Sequence, residues 1–169
     1  GQPGTVEARD CKHHRPNKGG VISNQPCKLL IADRIRCDTQ SFSMTDPEHV
    51  VEANLKFYFA LESLDVDLMD EVWATDASAI CIHPGWSRLA GWENIRASWE
   101  QIFRNSTFMR IDVSEVSVEV QASIAWITCL ENITSATGEQ MRRAKAYATN
   151  VFILEDDRWL LVLHHASIL

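Results

Sequence analysis

The hydrophobic period of this chain changes once, near residue 107, and that change restricts the folds open to it. Before it, apolar residues recur at steps of three and four; after it they recur at steps of two. The first spacing puts apolar side chains on one face of a helix, and the second puts them on one face of a strand. A block of helices followed by a block of strands predicts an α+β domain, with the helices segregated to one face of a curved antiparallel sheet.

Within the first block, Asp46-Pro47 reads as an N-cap and a first helical residue. Val50, Val51, Asn54, Leu55, Tyr58 and Leu61 follow at helical spacing, which predicts a helix over 47–63. Asp65 to Thr75 repeats the pattern with Val66, Met69, Val72 and Trp73. Ser78 to His83 reads as a strand stopped by Pro84-Gly85, and Gly91 precedes a third helix whose stripe is Trp92, Ile95, Trp99, Ile102 and Phe103.

In the second block, Met109, Ile111 and Val113 alternate, and so do Val116, Val118 and Val120, with a slip that places a bulge near Ser114-Glu115. Three more strands are expected at 123–136, 141–154 and 158–166, with Gly138 in one turn and Asp156-Asp157 in the next. Along the last strand, alternation sends Trp159, Leu161 and Leu163 one way and Leu160, Val162 and His164 the other. Both faces are apolar, so the outer sheet face predicts a partner, most simply a second copy in a homodimer.

Composition separates two regions. Residues 1–43 carry seven Lys/Arg against four Asp/Glu, whereas residues 44–169 carry nine against nineteen, a net of −10. All six Trp lie beyond residue 72, while four of the seven Gly fall in the first 20 positions, so the boundary is set just before Met44. Residues 1–43 read as a basic, mostly disordered leader, upstream of a natural start at Met44 or added to it. Its Cys11, His13, His14, Cys27 and Cys37 match no compact zinc-knuckle spacing, and no metal is expected anywhere in the chain. The acidic domain of 44–169 excludes a nucleic-acid partner. No apolar run reaches the roughly 18 residues of a membrane-spanning helix, so no membrane partner is expected. Five Cys without paired spacing point to a reduced, cytoplasmic setting.

Several local motifs, taken in order, carry a family likeness over residues 46–167. They are Phe57-Tyr58-Phe59-Ala60-Leu61; Ala77-Ser78-Ala79-Ile80-Cys81-Ile82-His83-Pro84-Gly85; Leu89-Ala90-Gly91-Trp92-Glu93-Asn94-Ile95; Ala125-Trp126-Ile127-Thr128; and Trp159-Leu160-Leu161-Val162-Leu163-His164-His165-Ala166-Ser167. The chain resembles the NTF2-like superfamily, in its SnoaL-like and ketosteroid-isomerase-like branch. The resemblance implies a cone-shaped sheet wrapped around the N-terminal helices and enclosing an apolar pocket. Members use that pocket as an isomerase, cyclase, dehydratase or hydrolase site, or as a binding or oligomerisation module. Function must therefore be argued from pocket residues.

His83-Pro84 stands where ketosteroid isomerases have an Asp-Pro whose Asp moves a proton, and histidine suits the same task because its reference pKa of about 6.5 lies near working pH. The alternative is a strand-end histidine bonded to backbone. The helix-one Tyr that holds the developing oxyanion in those isomerases is matched here by Phe57. Tyr58 sits next to it, about 100° round the helix. If Tyr58 faces elsewhere, the donor is Asn150, Thr128 or His164.

By the same likeness, Trp126, Thr128 and Leu130, with Ala148, Asn150 and Phe152 and with Val162, His164 and Ala166, are the cavity-facing positions of three adjacent strands. The competing reading makes His164 and His165 interface or core histidines. Asp112 and Glu131 are in-strand carboxylates that serve either as pocket acids or on the wet face. Trp86, Trp99 and Phe103 are expected to border the cavity and keep it small. Arg142, Arg143 and Lys145 read as a solvated strand end. No Gly-rich phosphate loop and no GxSxG elbow occurs, so no cofactor is implied.

The sequence thus supports two functions. One is cofactor-free proton transfer or water addition on a compact apolar small molecule, with catalytic His83, Asn150 and His164 and ligand-binding Tyr58, Trp86, Trp99, Phe103, Trp126 and Thr128. The other is a noncatalytic ligand-binding or oligomerisation module.

Overall fold

The computed structural model describes Ser43 and residues 45–169. Apart from Ser43, the region read as a leader, with the metal-capable side chains within it, lies outside the described residues.

Helix α1 spans Pro47–Ser63, with Asp46 in extended backbone as N-cap and Pro47 at the first helical position. It ends at Leu64, whose left-handed φ of 53° lets its N–H return to Ala60 and Leu61. Val50, Phe57, Tyr58 and Leu61 form its buried face, and Asn54 is buried among them. Helix α2, Val66–Val72, is shorter than the spacing suggested, because Trp73 turns extended and bridges to Leu161. Its start is capped by Asp65, which accepts from the Asp67 N–H. Strand β1 is Ile80–Ile82 and β2, a two-residue edge the sequence did not announce, is Leu89–Ala90. Helix α3 spans Trp92–Arg104. Arg96 fastens it to α2 by pairing with Asp67 and Asp70, and pairs within α3 with Glu100.

Strands β3 (Phe108–Gln121), β4 (Ile124–Thr137), β5 (Gln140–Glu155) and β6 (Arg158–Ile168) form the meander, within two residues of the expected bounds wherever bounds were set. The six strands make one sheet in the order β2-β1-β6-β5-β4-β3. It is antiparallel except that β6 runs parallel to β1, since the chain returns to β1 only after completing the meander. Helices against one curved sheet make this the α+β arrangement expected from the sequence. Among the described residues no helix is long and apolar enough to cross a membrane.

Two irregularities set which side chains face inward. The expected bulge in β3 lies between Ser114 and Ser117, with Glu115 at φ 52°. A second lies in β6: Phe152 pairs with Leu161 and Val151 with Leu163, leaving Val162 as the extra residue. That extra residue corrects the simple alternation. Trp159 and Leu161 are buried on the same face as His164 and Ala166, while Leu160 and Leu163 lie on the other.

Candidate functional site

The buried end of the domain carries an unusual density of polar side chains. Asn54, His83, Ser98, Glu131, Asn150 and His164 are all at most 6% exposed, and a buried polar group is tolerated only where it is hydrogen-bonded. Most of them belong to one network. Asn150 on β5 sits opposite His164 on β6, and its Oδ1 accepts from His164 Nδ1 at 2.7 Å. Asn150 Nδ2 donates to Asn54 Oδ1 at 2.7 Å and more weakly to Tyr58 Oη at 3.3 Å. Tyr58 in turn donates to Glu131 Oε1 at 2.8 Å, with Cys129 Sγ 3.2 Å away. With Nδ1 of His164 committed as donor, its Nε2 holds the lone pair.

His83 belongs to a smaller set. The Ser98 hydroxyl gives its one proton to the Ile95 carbonyl at 2.6 Å, so at the 2.8 Å contact it is His83 Nε2 that donates to Ser98 Oγ. The lone pair of His83 is therefore on Nδ1. Cys81 Sγ is nearly equidistant from the two ring nitrogens, at 3.7 and 3.8 Å, and so lies beside the ring rather than on one nitrogen.

These two sets meet in a cavity of about 170 Å³, lined by His83, Glu131 and His164 together with Trp86, Trp99 and apolar walls from Leu61, Ile102, Met109, Ile111 and Ile133. At about 30 Å³ per water the volume suits a molecule far smaller than a polycycle. Trp86, 40% exposed, stands at the rim with its ring edge-on to His83 at 5.0 Å. Trp99 is buried and edge-on to His83 at 4.3 Å. A larger groove of about 630 Å³ runs along α1 past Glu52, Lys56 and Arg158. Lys56 is paired there with Glu52 and both are exposed, and that pair holds the Glu52 carboxyl below its usual range.

Burial dominates the electrostatics. It pulls His83 down to about 4 and His164 down to about 3, so both rings are neutral at working pH. It pushes Glu131 up to about 7, against the opposing effect of the Tyr58 hydrogen bond. Tyr58 itself is pushed well above the usual phenol range, first by burial and then by the facing Glu131, and stays a hydrogen-bond donor. A carboxyl near 7 between a phenol and two neutral imidazoles can accept or return a proton at neutral pH.

Several expectations need correction. Trp126 and Thr128 do not face the cavity: Ala125, Ile127, Cys129 and Glu131 are the inward residues of β4, and Trp126, Thr128 and Leu130 occupy the other face. The reason is register. Asn150 lies opposite Ile127, and residues directly opposite in an antiparallel pair share a face. Phe103 is buried beneath Trp99, stacked at 5.8 Å, and contributes no cavity wall. Tyr58 does face the interior, but does not line the cavity; it is tied to the wall through Glu131 and, by way of Asn150, through His164. Asp112 is on the wet face with Arg110, and Arg142, Arg143 and Lys145 are exposed.

Asn54 and Ser98 were not singled out as functional. The signal for both was present: each is a polar residue at a helical step within an apolar stripe.

The comparisons with known proteins agree with this geometry. A family model for the SnoaL-like domain matches residues 50–169. In a crystal structure, a candidate dehydratase of the NTF2-like family from Streptomyces avermitilis is 35% identical, with 74% of this chain and 96% of that chain covered at a TM-score of 0.70. A candidate calcium/calmodulin-dependent protein kinase type II association domain from Thiobacillus denitrificans is 36% identical over 69% of this chain and 92% of its own, at a TM-score of 0.62. The F-box protein SKIP8 of Arabidopsis thaliana is 22% identical over 120 residues, and the chain spans about half of that protein, 49% of its length. With helices, sheet order and matched residues in accord, the chain belongs to the SnoaL-like domain family, on the NTF2-like fold.

Proposed function

We propose that the domain binds a compact, largely apolar small molecule in the His83–Glu131–His164 cavity and moves a proton on it without a cofactor, as a dehydratase or isomerase. The observation that carries this reading is Glu131, a buried carboxyl on the cavity wall, held by Tyr58 and raised to about 7. In an isomerisation its carboxylate takes a proton from a carbon next to an activating group and returns it to another carbon. In a dehydration it takes that proton, the carbon–oxygen bond of a β-hydroxyl breaks as the double bond forms, and the proton leaves with the hydroxide as water. The similarity to a candidate dehydratase supports the second form.

This reading moves the proton carrier from His83 to Glu131. His83, neutral and tied to Ser98, and His164, oriented by Asn150, act as hydrogen-bonding walls whose lone pairs accept from the ligand. Cys81 and Cys129 are both buried free thiols, which supports a reducing, cytoplasmic setting.

A panel of compact β-hydroxy ketones and cyclic enones tests the reading. Turnover is expected in the wild type and lost at least a hundredfold in Glu131→Gln with folding intact, while His83→Ala loses less. Undiminished turnover in Glu131→Gln would reject Glu131 as the carrier.

A second reading, a noncatalytic association module that dimerises through the outer sheet face, is favoured by one observation. Trp126, Val151, Leu163 and Ile80 are successive cross-strand partners and make a continuous apolar row on that face. Similarity to a candidate kinase association domain supports it. A dimer and an enzyme are compatible on this fold, because the row and the cavity lie on opposite sides of the sheet.

A further inference from the structure

Glu131, Tyr58, Asn150 and His164, from β4, α1, β5 and β6, form one chain of buried hydrogen bonds. Glu131 and His164, its two ends, line the cavity, while Tyr58 and Asn150 do not. An amide and a neutral imidazole each carry a donor and an acceptor, so neither decides by itself which way the chain runs.

The sense is set at the Glu131 end. A phenol has one proton, and the Glu131 carboxylate 2.8 Å away makes the stronger claim on it, because a bond to a charged acceptor exceeds one to a neutral group. Tyr58 Oη can then only accept. The Asn150 group 3.3 Å from it must therefore be the NH2, which also donates to Asn54 Oδ1 at 2.7 Å and turns the carbonyl toward His164. Asn54 has an oxygen and an NH2 of its own and would serve either sense. His164 answers the Asn150 carbonyl with its Nδ1–H at 2.7 Å. Its ring is packed against Phe57 at 5.0 Å and Trp99 at 6.2 Å, so the chain decides where the ring proton sits rather than how the ring lies.

Among the described residues, the side-chain nitrogens and oxygens that are both sealed and unpaired are Trp73 Nε1 and Trp99 Nε1. His164 Nε2 bonds to no described residue and is not one of them. It therefore keeps accessible surface, on a side chain that lines the cavity.

We propose that Tyr58 is a positioning residue for His164: by giving its one proton to Glu131 it turns Asn150, and through Asn150 it keeps the His164 proton on Nδ1 and the lone pair on Nε2. The consequence for recognition rests on the small-molecule reading of the cavity. Glu131 and His164 are set as acceptors together, so the ligand meets both with donors: a carbon-bound proton for Glu131 and a hydroxyl for His164. A β-hydroxy carbonyl compound carries both, whereas an enone without a hydroxyl leaves His164 unmatched.

The test needs no ligand. The full chain, labelled with nitrogen-15 in its histidines, is followed at pH 8, where Glu131, near 7, is ionised and His164, held to about 3, is neutral. Long-range proton–nitrogen correlation spectra separate a protonated ring nitrogen from a bare one, and triple resonance assigns His164. The wild type is expected to show Nδ1 protonated and Nε2 bare. In Tyr58→Phe the demand for an N–H from Asn150 is gone, Asn150 and Asn54 can turn together, and the two His164 nitrogen shifts should draw toward each other as the second tautomer fills. Glu131→Leu, which releases the Tyr58 proton, should do the same and serves where Tyr58→Phe does not fold. A wild-type His164 protonated on Nε2 overturns the inference whether or not either variant folds. Unchanged shifts in folded Tyr58→Phe, or in Glu131→Leu where that is the variant that folds, overturn it as well, since Asn150 then holds its sense unaided. Failure of every β-hydroxy ketone to turn over would remove the small-molecule reading and leave the tautomer result standing.

Discussion

Tyr58 on α1 donates a 2.8 Å hydrogen bond to Glu131 on β4, and both side chains are buried. The bond favours the ionised carboxylate and burial disfavours it. Burial wins, and Glu131 rests near 7. The acid–base state of the cavity near neutrality is therefore the state of this one residue.

The first consequence is a stability that falls as pH rises through Glu131. Unfolded, the carboxyl loses its proton near 4.5; folded, it keeps it to about 7. Between those values the native state holds the extra proton, so each step up in pH lowers the contribution of Glu131 to stability. Glu131→Gln, which cannot ionise, is expected to match the wild type at pH 4.5 and to exceed it at pH 8 by up to about 3 kcal/mol. Urea unfolding at the two pH values measures this, and equal stabilities at pH 8 would show that the carboxyl is not raised.

The histidines act with the opposite sign. His83 and His164 fall from 6.5 to about 4 and about 3 on folding. The stability this represents is present above 6.5 and is lost as pH falls toward 4, because the unfolded chain takes up two protons that the native rings refuse. Between about 4.5 and 6.5 two histidines oppose one carboxyl, leaving a net slope near 1.4 kcal/mol per pH unit in the wild type and about twice that in Glu131→Gln. A shallower slope in the variant than in the wild type would contradict the assignment.

The rate carries the same residue. With Glu131 as base, kcat/KM on any substrate found should rise with pH through about 7 and level above it. Tyr58→Phe removes the one contact that favours the carboxylate, so the midpoint should move upward while activity at high pH is retained. A midpoint unchanged by Tyr58→Phe would mean that another group titrates in the profile.

Asn150 fixes His164, and removing it should be felt in the fold. Asn150→Leu leaves the His164 Nδ1–H and Asn54 Oδ1 without their 2.7 Å partners. Two buried unpaired groups at about 1–3 kcal/mol each predict a loss of about 2–6 kcal/mol in urea unfolding. Loss below about 0.5 kcal/mol would place the amide outside the structural network.

The elements of this fold were legible because their signals are local. Pro47 after Asp46, Gly91 before Trp92, and the slip between Val113 and Val116 each mark a helix start or a bulge from neighbouring residues alone. The cavity was half legible. His83, His164 and Asn150 drew notice as polar residues among apolar ones, but Trp126 and Thr128 were set on the wrong face. A strand's period gives two faces without saying which is inward; that is decided by partners such as Ile127 opposite Asn150, distant in sequence. The extra residue at Val162 had no sequence mark at all, since Leu, Val and Leu are equally content on either side of a strand end. Glu131 was ambiguous for a related reason: a carboxylate in a strand is ordinarily on the wet face, and only the Tyr58 phenol across from it makes burial tolerable.

The outer face of the sheet gives the last expectation. Cross-strand pairing aligns Trp126, Val151, Leu163 and Ile80 in one row and Ile124, Ile153 and Leu160 in the next. A sheet with its helices on one face should wet the other, so apolar rows there lead to the expectation that a second copy covers them. In a two-fold dimer the same patch meets itself, so a charge placed near its centre faces its own like charge. Wild-type protein is expected to sediment as a dimer at micromolar concentration, and Val151→Glu as a monomer with unchanged helix and strand content, because residue 151 points away from the core. A wild-type monomer at that concentration would remove the dimer and the association reading together, and would leave the Glu131 chemistry standing, since Glu131, His83 and His164 line the cavity within one chain.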